Sequence, residues 1–152
     1  MEITKMHCLI AMIVNLILLA APAAEVVKAP RAWDAKTIVW QSTDSDGTKW
    51  AVLEGHSDVA GEAFTYAAFV PAGFHDFHSH GSDARVAVVQ GVLKVSFGEK
   101  MDLEHLASYP VGSFLYVPAN VKHTMAADVD TILIGTAVGP WHTHHPEEHQ
   151  RR

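Results

Sequence analysis

Short runs of β-branched and aromatic residues follow one another along most of this chain, each closed by a turn-forming cluster roughly every ten residues. They are Thr37 to Gln41, Lys49 to Leu53, Glu62 to Val70, Arg85 to Gln90, Val92 to Phe97, Ser113 to Val117 and Thr131 to Val138. The breaks between them are Asp44-Ser45-Asp46-Gly47, Pro71-Ala72-Gly73, Gly91, Pro110-Val111-Gly112 and Pro118-Ala119-Asn120. Glycine, proline and asparagine supply the backbone angles that strands cannot hold, so each cluster reverses the chain. A succession of this kind predicts an all-β sandwich or barrel. Only Met101 to Ala107 reads as a helical turn of any consequence.

The two ends do not share this pattern. Lys5 and His7 precede an uncharged run from Cys8 to Ala24, closed by small residues in Ala20-Ala21-Pro22-Ala23-Ala24. A basic start, an apolar centre and a small-residue exit are the layout of a secretory signal peptide. A membrane anchor needs roughly twenty apolar residues. This run is shorter and contains Asn15, so cleavage between Ala23 and Glu25 is expected, with no stable membrane anchor left and a periplasmic or secreted product. The expected organisation is a signal segment over 1–24, an arm over 25–36, one β-barrel domain over 37–140 and a mobile, histidine-rich tail over 141–152. Cys8, the single cysteine, leaves with the signal, which excludes disulfides, thiol nucleophiles and cysteine-held zinc from the domain. With a net charge of -6 and no basic cluster, a nucleic-acid partner is not expected.

The chemistry gathers in His75-Asp76-Phe77-His78-Ser79-His80. On an extended strand alternate residues share a face, so His78 and His80 point together while His75 does not. A third histidine, His123, follows the turn at Asn120. If its strand lies beside that of His78 and His80, three imidazoles meet inside the barrel. Imidazole suits zinc, copper, iron and nickel, and three protein ligands leave positions open for a substrate.

These features resemble the cupin family, from about Glu62 to Gly139. One motif is carried by Gly73, His78-x-His80 and Gly91 as the hairpin glycine; the second by Gly112, Pro118, Asn120 and His123. The resemblance implies a jelly-roll β-barrel of two antiparallel sheets, a bound divalent metal ion (Fe, Zn, Mn, Ni or Cu) and a homodimer. The family's usual glutamate ligand falls on Ala84, Asn120 replaces a turn glycine, Ala127 stands in place of an asparagine, and Gly73 is one residue closer to His78 than the pattern has it. What remains is a three-histidine set, His78, His80 and His123.

Asp76 shares their parity, and reads as an extra ligand, as an acceptor that fixes a histidine tautomer, or as a solvated residue at a strand start. His75 and Asp83 are expected at the barrel mouth. His142, His144, His145 and His149 form a tail cluster of the kind that takes up metal ions adventitiously, and His56 and His105 carry no site argument. Phe64, Tyr66 and Ala68 alternate on one run and Phe114 and Tyr116 on another, as core or as pocket wall. The expected function is that of an exported metal-binding cupin, an oxygenase-type enzyme acting on a small organic anion. The alternative is a non-catalytic metal or small-ligand binding protein.

Overall fold

The computed structural model describes residues 29–146. Residues 29–32 are exposed and without regular structure; the compact unit from Trp33 onward carries every strand. The expected signal segment lies outside the described residues, as does His149.

Eleven strands and no helix are present among the described residues. They are β1 (Ser42–Thr43), β2 (Lys49–Glu54), β3 (Ala63–Val70), β4 (His75–His80), β5 (Ala84–Gln90), β6 (Val92–Phe97), β7 (Ala107–Pro110), β8 (Phe114–Val117), β9 (His123–Ala126), β10 (Thr131–Val138) and β11 (Thr143–His144). One sheet has the order β1-β2-β3-β10-β5-β8 and the other β11-β4-β9-β6-β7, and their pairs are antiparallel. This is the jelly-roll β-barrel that the sequence implied.

Alternation builds the core. On β5, Ala84, Val86 and Val88 turn inward while Arg85 and Val89 face out; Leu93 and Val95 of β6, Leu115 and Val117 of β8, and Leu133 of β10 meet them between the sheets. The opposite face of β2, β3 and β10 is not left to solvent. Ala51, Leu53, Ala67 and Ile132 are covered there by Ile38 and Trp40, so the stretch before β1 packs as a flap on the outside of the six-stranded sheet.

Four expectations are corrected. Thr37 to Gln41 does not form a strand: the Gln41 side chain substitutes for a ladder, its Oε1 accepting from Val52 N–H at 3.0 Å and its Nε2 donating to Val52 C=O at 3.3 Å. Met101 to Ala107 does not form a helical turn, because the Asp102 carboxylate accepts from the backbone N–H groups of Glu104 and His105 and holds a bend. Gly91 does not close a hairpin, since β5 and β6 lie in different sheets. It turns the corner between them at φ 75°, where any Cβ would stand 2.5 Å from Asp130 C=O. Trp141 to Pro146 are not a loose tail: Trp141 packs into the core and β11 pairs with β4.

Candidate metal centre

The three predicted histidines meet. β4 brings His78 and His80 to one inner face, and β9 lies directly beside β4 with His123 opposite His78. Turn chemistry sets that register. Asn120 adopts φ 63°, the left-handed conformation asparagine tolerates, and its N–H donates to His80 C=O at 2.8 Å, delivering the chain to His123 three residues on. All three rings are buried, with centroids 4.4 to 4.9 Å apart. One donor nitrogen from each lies within 4.8 Å of the others.

Two of the rings are oriented from behind. His78 Nδ1–H donates to Asp76 Oδ2 at 2.7 Å and His123 Nδ1–H to Val121 C=O at 3.0 Å, which leaves each Nε2 free to face the centre. His80 Nε2 lies 3.0 Å from His78 Nε2, while its buried Nδ1 has no partner among the described residues. Its ring is held instead by Trp141, whose centroid is 4.5 Å away. The three imidazoles, with converging Nε2 atoms, fit a divalent transition-metal ion, with Asp76 and Val121 as the groups that fix two tautomers.

Burial opposes charge here. It lowers the His80 pKa to about 2 and that of His123 to about 4, in both cases reinforced by the neighbouring His78. Burial alone would raise the Asp76 carboxyl, but its hydrogen bond and attraction to His78, with those of His145, outweigh this and hold it at about 2. Asp76 is therefore an acceptor behind His78 and not merely a solvated residue at a strand start.

A cavity of about 450 Å³ opens from the histidines between the sheets. Its far walls are aliphatic, with Val86, Leu93, Val117 and Leu133 among them. Nearer the histidines stand Tyr66 and Trp50, stacked with centroids 4.2 Å apart, and Trp141, 5.6 Å from Tyr66. Tyr66 lies over Gly135 of β10, where a side chain would collide with its ring, and burial pushes its phenol above the ordinary range. Ala68 also lines the cavity and Phe64 packs behind it. Phe114 and Tyr116 do not contribute, being 64% and 50% exposed on the outer face of β8. Ala84 is 0% exposed in the aliphatic core, with no carboxylate where the family's glutamate would stand.

The remaining candidates are peripheral. His75 is exposed at the start of β4, and Asp83 accepts from Tyr116 O–H and Ala119 N–H in the turn after it. His56 and His105 pair with Glu62 and Asp102 on the surface. Sequence reasoning missed Trp141 and placed His145 only in the tail cluster, yet both reach the site from the C-terminal segment: His145 Nε2–H donates to Asp76 Oδ2 at 3.0 Å. No local pattern announces this, because the pairing of Thr143 with His80 that places both is long-range.

A jelly-roll with inward histidines on β4 and β9 defines a cupin. More narrowly, residues 28–142 match the ChrR cupin-like domain, and the chain belongs to that family. A cupin-like protein from Thermotoga maritima shares the fold with a TM-score of 0.56 at 20% identity, over 76% of this chain and 94% of that one. A chain of the Rhodobacter sphaeroides complex of SigE with the anti-sigma ChrR gives 0.52 at 20%, over 68% of this chain and 51% of that one. A variant of salicylate 1,2-dioxygenase from Pseudoaminobacter salicylatoxidans gives 0.53 at 16%, over 67% and 31%. At these identities the likeness is one of fold. No curated protein is significantly similar in sequence.

Proposed function

We propose that this chain is an exported metallo-cupin whose three-histidine centre acts on a small organic anion in an oxygenase-type reaction. One observation carries the reading: His78, His80 and His123 converge in a cavity whose lining runs from the aliphatic Val86, Leu93, Val117 and Leu133 to the polar Asp44, Asp46, Thr48 and Lys49. A bound ion would supply Lewis-acid and dioxygen-binding chemistry at the histidines. Three neutral imidazoles cancel none of its charge, so the site favours an anionic oxygen donor such as a carboxylate or an enolate. The aliphatic walls take the organic part of that molecule. Asp76 holds the His78 ring through its hydrogen bond to Nδ1–H. The fold shared with a salicylate 1,2-dioxygenase supports the same class by analogy.

Export follows from the signal-like first segment and assembly as a homodimer from the cupin resemblance; intact mass of the secreted protein and sedimentation test these. The central test is metal content. His78→Ala, His80→Ala and His123→Ala should each strip the ion while circular dichroism stays β-rich, and full occupancy in His123→Ala would sink the assignment. The histidines at 142, 144 and 145 favour a second reading, a non-catalytic metal binder. Oxygen uptake by Fe(II)-loaded protein in the presence of small carboxylates or diketones separates the two, because only the enzyme consumes it.

A further inference from the structure

A second set of donors converges beside the three imidazoles. Asp76 Oδ2 accepts from His78 Nδ1–H at 2.7 Å and from His145 Nε2–H at 3.0 Å, and the ligand atoms of this trio all lie within 4.8 Å of one another. The trio is built by topology. Asp76 occupies the face of His78 on β4, and β11, paired to the far end of that strand, carries the chain back to Asp76 through His145. One carboxylate and two imidazoles form a donor set that zinc- and copper-type ions accept. Unlike the inner histidines, His145 is exposed and Asp76 half-buried, so an ion reaches them from solvent.

We propose that Asp76, His145 and the Nδ1 side of His78 form a second, outer divalent-cation position that shares the His78 ring with the inner centre. This rests on the reading of the inner three histidines as a metal site. The outer ion takes the place of two hydrogen-bonded protons: the one on His78 Nδ1 is released to solvent, and His145 carries its proton on Nδ1 instead of Nε2, which frees Nε2 to ligate. With both positions filled, the ring is an imidazolate bridge holding one ion on each nitrogen. The outer ion binds more weakly than the inner one, because it must displace the His78 proton and sits near a like charge. The Asp76 carboxylate offsets part of both costs.

Equilibrium dialysis of the full mature chain against Zn(II), with elemental analysis, tests this. Two ions per chain are expected in the wild type and in His142→Ala, which alters a strap histidine outside the trio, and one in His145→Ala. One ion in the wild type and His145→Ala alike overturns the outer position while leaving the inner reading standing; none in the wild type overturns both. Two ions in His145→Ala, or one in His142→Ala, places the second ion elsewhere on the strap and also overturns it. Loading with Cu(II) reads the shared ring directly. Coupling through the imidazolate should depress the wild-type EPR intensity well below two spins, while His145→Ala shows one full spin. Two full, independent spins in the wild type would rule out the bridge.

Discussion

An amide at position 76 would keep the shape of the side chain and remove the charge that holds His78. Asp76→Asn should therefore leave the barrel folded and weaken metal binding by roughly 10- to 100-fold, the usual consequence of losing a group that orients a ligand. Competition with a chelator of known affinity measures it, and unchanged affinity would mean that Asp76 orients nothing. His80 and His123 give a pH signature in the metal-free protein. Their folded pKa values, about 2 and about 4, lie below the ordinary 6.5, so between those values the unfolded chain binds more protons. Stability should be lost as pH falls from about 6.5 toward about 4 for His123, and further for His80. Asp76 acts lower: its stabilisation is present above 3.8 and lost as pH falls toward about 2. Urea midpoints from about pH 7.5 to 4.5 should fall steadily in the wild type and less steeply in His123→Leu. At this scale much of the site was legible, because the parity of His78 and His80 needs only an extended strand. The role of Asp76 was not, since solvation and partnership look alike until the imidazole of His145, just after β11, arrives.

At the scale of elements, the C-terminal strap contributes more than its two paired residues suggest. Trp141 contacts Phe64, Tyr66 and His80 at once. Trp141→Ala should cost about 2 kcal/mol, below the value for a fully buried tryptophan because the ring is partly exposed, and should loosen His80. Chemical denaturation with and without Zn(II) separates the two effects: the variant should lose stability in both conditions and gain less from the ion. Gly91→Ala should be the more damaging change, as it combines a positive φ with a clash against the backbone of β10, and soluble yield is its first readout. Long alternating strands such as β3, β5, β6 and β10 were legible from hydrophobic period. β7, β9 and β11 were not, being two to four residues long and defined by their neighbours. Thr37 to Gln41 misled for a related reason: Ile38 and Trp40 do face protein, but in a flap tied to β2 through the side chain and backbone N–H of Gln41.

For the molecule as a whole, an ion that binds only the folded barrel should stabilise it by mass action. At a free concentration about a hundred times Kd this amounts to about 2.7 kcal/mol, or roughly 10 °C in Tm for a domain of this size. Scanning calorimetry with Zn(II) and then with excess chelator should show the rise and its reversal, and a Tm indifferent to both would argue for a barrel that has lost its metal. The jelly-roll itself was readable because turn spacing and two motifs in order constrain the whole path of the chain. The cavity was less so, for its walls depend on which of two alternating faces turns inward. The contact between Trp141 and His80 gives this barrel a built-in optical gauge. Of the four tryptophans, Trp33 is partly exposed and Trp40 packs on the outer flap, whereas the Trp141 indole lies against an imidazole of the centre and near Trp50. A copper or iron ion seated at His80 would drain the excited state of that indole, so the dimming of the protein's own ultraviolet emission would count filled centres without a label.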